Sequence, residues 1–290
     1  MAERPVPSKL MGPPQTEIRA SFAANVPREI NSDTKPTGSA SSVVWRTLGL
    51  VEWDRHITGG LSPETARSLQ DMFLRQAENG RFVATGEVEI PHITTDFELS
   101  LQAARAVSAA GDWAADSTDA KRMEQITKLK SYLKSEPPRN DYERVLRLEL
   151  AGYFPDTVTT EEIEAAIALL TEKQHADGGW SLRDMSAVDN WRTPMSDTVL
   201  NLIRGLPDAD APESDPYMTA KAILLMRSRN IATNDPRVQR GVAWLKSQQR
   251  ESGRWWMHSL YRGNYHYITY IATAQALKAL AACDELPKGE

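Results

Sequence analysis

Three carboxylates stand where this sequence could carry acid chemistry. TTDFELSLQA (94–103) puts Asp96 and Glu98 two positions apart at the start of a small-residue helix pattern, and DPYMTA (215–220) puts Asp215 directly before a proline. A carboxyl group in a dry site is held protonated by burial and can then act as a general acid. The same residues have a plainer role. Thr95 and Glu98 have capping-box spacing, Asp96 favours a helix N-terminus, and Asp215 before Pro216 fits an N-cap. Both roles stay open for Glu98, Asp96 and Asp215. Aromatic rings are the second chemical signal. Trp255, Trp256, Tyr261, Tyr265, Tyr267 and Tyr270 cluster near the C-terminus, and such rings either stabilise cations through their faces or fill cores. Tyr217, Tyr267, Tyr270, Trp256, Phe97 and His266 are the candidate ligand contacts.

Other chemistries find little support. The histidines His56, His92, His175, His258 and His266 have no ligand spacing, and Cys283 is the single cysteine, so no metal site is expected. No phosphate-binding glycine loop and no nucleophile elbow for a Ser-His-Asp site is readable. Charge is mixed, with 34 basic and 39 acidic residues, and no basic stripe marks a nucleic-acid partner. No apolar run reaches the roughly 20 residues that span a bilayer. MAERPVPSKLMGPPQ has no apolar segment of signal-peptide type, and the chain reads as cytoplasmic.

What positions these residues is a run of helices. Residues 1–41 are rich in proline and read as a poorly ordered arm. From Ser42 to about 285 the pattern is helical, with helices expected near 43–56, 63–77, 95–110, 118–134, 140–152, 160–173, 216–229, 236–249 and 265–283, and one more within 195–205. Residues 181–212 read as an insertion and 286–290 as a tail. LSLQAARAVSAA, TAKAILLM and ITYIATAQALKALAA are small and apolar on most sides, as an inner layer requires. The helices before them carry more charge and suit an outer layer.

One phrase recurs after the outer helices: QAENGRF (76–82), QHADGGW (174–180) and QRESGRW (249–255). Each fits Gln-x-x-x-Gly-x-aromatic, and copies at intervals imply a repeat architecture. The set Gln76, Gly80, Phe82, Gln174, Gly178, Trp180, Gln249, Gly253 and Trp255 holds no nucleophile. Its physics is structural: a Gln amide can satisfy helix-end carbonyls, glycine permits a left-handed turn, and the ring covers the bonds.

RGVAWLKSQQRESGRW (240–255) resembles the QW motif of the squalene cyclase and prenyltransferase repeat family. QHADGGW is a second good copy, and QAENGRF departs from the motif with Phe82 in place of Trp. VEWDRHITGGLSPET, DYERVLRLELAGYFPD and SGRWWMHSL are similar to bacterial stand-alone squalene-cyclase-repeat proteins, whose role is mostly unassigned. The resemblance implies an all-α fold of α/α-toroid type around an apolar cavity. Four helix pairs and a leading helix are readable where a closed ring has six hairpins, so the expected ring is open or incomplete. The family's class II cyclases protonate an alkene with the middle Asp of Asp-x-Asp-Asp-Thr-Ala. In DPYMTA, Asp215 and Thr219-Ala220 match, while Tyr217 takes the position of the acid. The resemblance therefore implies a module that binds an apolar, isoprenoid-like ligand or a protein partner completing the toroid, without standard cyclase activity. The alternative is a small terpene cyclase, an isomerase using Glu98. No cofactor follows: the zinc-ligand pattern of the prenyltransferases and the Cys-x-x-Cys-His haem motif of some relatives are both absent from the sequence.

Overall fold

The structure is a computed structural model. It describes residues 15–31, 34–84, 95–191, 196–205, 213–257 and 267–286, with backbone alone at 15, 203 and 267–269. Among the described residues the chain is all-α, without a strand. The helices are α1 (Gln15–Ala24), α2 (Ala40–Trp53), α3 (Pro63–Phe73), α4 (Asp96–Ala109), α5 (Asp112–Ala115), α6 (Ala120–Ser135), α7 (Asp141–Tyr153), α8 (Thr160–Glu172), α9 (Asp197–Arg204), α10 (Pro216–Ser228), α11 (Pro236–Gln248) and α12 (Tyr267–Ala282). A π-helical turn, Asp54–Thr58, continues α2 and ends at Gly59 in the left-handed region.

Local chemistry sets the helix starts. Ser62, Asp215 and Asp235 each accept a backbone N–H from the first turn, with proline at the next position. Thr159 and Glu162 form a reciprocal capping box. Asn140 and Thr95 cap α7 and α4, but their partner glutamates turn elsewhere. Glu143 accepts from the Arg139 amide (2.8 Å) and the Thr95 hydroxyl (2.9 Å). Glu98 points away from its cap altogether.

The helices sort into two layers. α2 packs on α4, α4 on α7, α7 on α10 and α10 on α12, which makes one continuous inner row. α3 lies against α2 and α4, α6 against α4, α8 against α7, and α11 against α10 and α12. The inner helices run in one direction. Glu98 near the start of α4 meets Tyr142 at the start of α7, which meets Tyr217 at the start of α10. At the other end, Arg227 of α10 donates to the carbonyl of Ala282, the last residue of α12. α4 is buried nearly all round, Leu99, Leu101, Ala103 and Ala104 fully so. Each such leucine contributes about 1.5–3 kcal/mol against exposure.

The arm differs from expectation. Its described part carries α1, which leans on α2 with the Phe22 ring over Gly49, and the N-cap Ser39 starts α2 two residues earlier than 42. Arginines hold the segment down. Arg46 donates to the carbonyl of Asn25 (2.6 Å), Arg67 to that of Pro27 (3.3 Å), and Arg75 to that of Thr37. Proline content alone did not reveal those long-range donors. In the stretch 181–212, Leu182, Met185 and Trp191 are fully buried.

Candidate functional site

The three recurring turns share one geometry. Gly80, Gly178 and Gly253 have φ of 93°, 95° and 78°. In each, the glutamine amide donates to the glycine carbonyl: Gln76 to Gly80 at 3.0 Å, Gln174 to Gly178 at 2.8 Å and Gln249 to Gly253 at 3.1 Å. The first two amides reach further. Gln76 also donates to the Gln125 carbonyl on α6 (2.9 Å), and Gln174 to the Arg237 carbonyl on α11 (2.9 Å). Each thus ties its turn to the next outer helix. The aromatic residue ties the turn inward. The backbone N–H of Phe82, Trp180 and Trp255 donates to a hydroxyl on the following inner helix, Ser100 (2.9 Å), Thr219 (2.9 Å) and Thr273 (3.1 Å). The indoles of Trp180 and Trp255 donate to Leu170 and Leu245 carbonyls of their own outer helices, both at 2.7 Å. Phe82 has no such donor.

Two of the three candidate acids belong to the same framework. Asp96 accepts from the Ala84 amide (2.6 Å) and pairs with Arg81 (3.0 Å). Asp215 accepts from Met218 (2.7 Å) and Leu182 (2.5 Å). Ala84 and Leu182 each lie two residues past the motif aromatic, so both aspartates pin the exit of the turn to the start of an inner helix. Burial pushes the Asp215 carboxyl up to about 6, although amides of Met218, Leu182 and Tyr217 pull it down. Both oxygens of Asp215 thus hold backbone amides, as the cap reading expects.

Glu98 is different. It is 7% exposed and faces inward, where the Tyr142 hydroxyl donates to it at 3.2 Å. Tyr142 and Tyr217 hydroxyls are 2.8 Å apart. With the Tyr142 proton directed to Glu98, Tyr217 donates to Tyr142, giving a relay from α10 through α7 to α4. Burial raises the Glu98 carboxyl to about 7, against the opposing pull of Lys221 and Tyr142 and with help from Glu149 and Glu143. Burial likewise lifts both tyrosine hydroxyls well above their ordinary value.

Further along the helices, seven residues past Glu98 and Tyr142 and four past Tyr217, lies a layer of charge. Glu52 of α2 pairs with Arg105 of α4 at 2.7 Å. Glu149 of α7 pairs with Lys221 of α10 and accepts from Tyr153 at 2.7 Å. Burial opposes ionisation of Glu149, but Lys221, Tyr153 and Arg105 hold its carboxyl below the usual range. Lys278 of α12 completes the set. Burial lowers its pKa, and the charges of Arg105, Glu52, Lys221 and Glu149 all act on it. All five inner helices therefore send an ionisable side chain to one neighbourhood. None of Glu52, Arg105, Glu149, Tyr153, Lys221 or Lys278 was singled out from the sequence. The usable signal was an i, i+7 relation on inner helices: Trp45–Glu52, Glu98–Arg105, Tyr142–Glu149 and Ile271–Lys278 share faces two turns apart.

The remaining candidates scatter. Phe97, expected as a ligand contact, is buried between helices with the Arg147 guanidinium 5.0 Å from its ring, because it occupies the α4 face toward α7. Trp256 is exposed under Arg250 and Tyr270 under Arg254. The Tyr267 backbone opens α12, while its side chain and His266 lie outside the described residues, as do His92 and His258. Cys283 is buried. His175, in the second motif turn, is half-buried in a hydrogen-bonded chain not legible from sequence. Its ring pairs with Asp184 and lies 3.0 Å from the Ser214 hydroxyl, which donates to Asp177 at 2.8 Å. The chain ties a loop to the approach to α10. Among the described residues no three His, Cys, Asp or Glu side chains gather as for a metal, and no helix is long and apolar enough to cross a membrane. Among α3, α5 and α6 lies a pocket of about 250 Å³, lined by Ile30, Phe73, Trp113 and Gln125.

Comparison of the chain with protein-family models and with curated proteins returns no match.

Proposed function

We propose that this chain is a squalene-cyclase-like repeat module of α/α-toroid type that receives a ligand with an apolar part on its inner face and does not carry out class II cyclisation. The observation that carries the reading is the Tyr217–Tyr142–Glu98 relay at the starts of three inner helices, with ion pairs one heptad beyond it. Alkene protonation demands a strong acid and an apolar cavity for the cation. The ion-pair layer makes the inner face polar where a long hydrocarbon would have to pass. The turns that bridge neighbouring hairpins support the family resemblance, since they make the Gln-x-x-x-Gly-x-aromatic phrase a clamp of the toroid kind.

The test is incubation of the purified chain with squalene, farnesyl diphosphate and geranylgeranyl diphosphate. The reading expects every compound to be recovered unchanged and at least one to raise the melting temperature. A cyclic product overturns it. In that case the isomerase reading stands, favoured by Glu98 being a buried carboxyl that is partly protonated at neutral pH, and Glu98→Gln must then abolish turnover.

A further inference from the structure

Resting on that reading of the inner face, we propose that its ligand is an amphipathic monoanion, a carboxylate head on a linear apolar tail, with the Lys278 ammonium as partner of the head. The charge layer holds three cations, Arg105, Lys221 and Lys278, and two carboxylates, Glu52 and Glu149. The carboxylates are taken: Glu52 by Arg105, Glu149 by Lys221 and Tyr153. Among the described residues Lys278 has no ion pair of its own, and its side chain is exposed. It is a surplus positive charge that Arg105 and Lys221 oppose and Glu52 and Glu149 favour. An anion placed there relieves that opposition and forms a charge-assisted hydrogen bond. One surplus charge matches one negative charge. A diphosphate would bring its further charges against Glu52 and Glu149, and a plain hydrocarbon would leave Lys278 as it is.

The tail has a surface of its own. Trp45 and Ile271 lie one heptad before Glu52 and Lys278, on the same faces of α2 and α12, and each is 44% exposed. A large aromatic and a β-branched side chain left open two helical turns before Glu52 and Lys278 are complementary to the aliphatic part of such a ligand.

Calorimetric titration of the full chain with dodecanoate, dodecanol, dodecyltrimethylammonium and geranylgeranyl diphosphate, each below its aggregation threshold, separates the possibilities. Dodecanoate is expected to bind at least about tenfold more tightly than dodecanol, with the ammonium weakest and the diphosphate weaker than the carboxylate. Lys278→Gln, at an exposed position that leaves the fold intact, brings dodecanoate to the level of dodecanol, and Lys278→Arg restores the preference. Equal affinity for dodecanoate and dodecanol, a Lys278→Gln variant that binds dodecanoate like the wild type, or preference for the diphosphate overturns the monoanion while leaving the inner face a ligand site. Failure of all four to bind overturns both.

Discussion

Gly80→Ala tests the interlocking of turn and outer helix most directly. Gly80 has φ +93°, and a Cβ there would lie 2.1 Å from the Lys128 carbonyl oxygen and 2.4 Å from its carbon, backbone atoms of α6. Ordinary contact begins near 3.4 Å, so turn and helix must separate by more than 1 Å. That separation strains the Gln76 bond to Gln125 and the packing of the fully buried Phe82. A positive φ costs a non-glycine residue about 1–2 kcal/mol, overpacking about 1–3, and loss of one hydrogen bond about 0.5–1.5. The expected total is about 3–6 kcal/mol. Gly59→Ala is the internal control. It has φ +79° and nothing within 4 Å of the added carbon, so only the backbone strain applies, about 1–2 kcal/mol. Urea unfolding followed by circular dichroism should place the midpoint of Gly80→Ala well below that of Gly59→Ala at similar slope. Two variants within about 0.5 kcal/mol of each other would show that the close approach carries no energy and would refute the clamp argument.

Further tests follow from the same bonds. Gln174→Ala removes donors to Gly178 and Arg237 and should cost about 1–3 kcal/mol, whereas Gln249→Ala, at an exposed side chain, should cost under about 1 kcal/mol in the same unfolding assay. Trp180→Phe leaves the buried Leu170 carbonyl without its 2.7 Å donor and should lower the melting temperature by the equivalent of about 1–3 kcal/mol; no shift would mean that water replaces the indole. Glu98 supplies a pH test. Its folded-state pKa lies above the unfolded value, so the native state binds more protons, and stability falls as pH rises from about 4.5 to about 7. The loss is on the order of 3 kcal/mol at most, and Glu98→Gln should flatten the slope across that window; an unchanged slope assigns the titration elsewhere.

Period and punctuation made the helices legible. Ser62-Pro63, Asp215-Pro216 and Asp235-Pro236 start helices where a cap before proline predicts, and the small-residue runs of α4 and α10 are the most buried helices. What holds the described part of the arm is distant: Arg46, Arg67 and Arg75 donate across the chain to carbonyls whose own sequence carries no mark. The acids were half legible. Spacing found Glu98, Asp96 and Asp215 together, but only tertiary contacts separate the two that bind backbone from the one that faces inward. Glu98 has capping-box spacing and does not close the box, since Tyr142, 44 positions away, offers its carboxylate a hydroxyl. The charge layer was invisible for a related reason. Arg105, Glu149 and Lys221 read as ordinary polar positions until five helices bring them to one place.

The gap in the repeat shows what the motif is for. Between α6 and α8 no Gln-x-x-x-Gly-x-aromatic turn exists, yet the outer helix still ends in carbonyls that need donors. Arg147, from the inner helix α7, supplies them: it donates to the Leu133 carbonyl at 2.5 Å and to that of Glu136, with its flat face over Phe97. A guanidinium from the inner layer thus does for α6 what the motif indoles of Trp180 and Trp255 do for α8 and α11, donating to carbonyls of the last helical turn. The requirement is fixed by helix geometry, and the residue that meets it is free to change. That is why counting motif copies undercounts hairpins, and why a chain with three copies builds an inner row of five helices. The same freedom applies to chemistry. Once clamps hold the turns, exposed positions of the inner face are released from the scaffold's needs, and their composition is what the proposed ligand rests on. Here that composition is a tyrosine relay, two satisfied ion pairs and one ammonium left over, which fits a polar-headed guest and not a bare hydrocarbon.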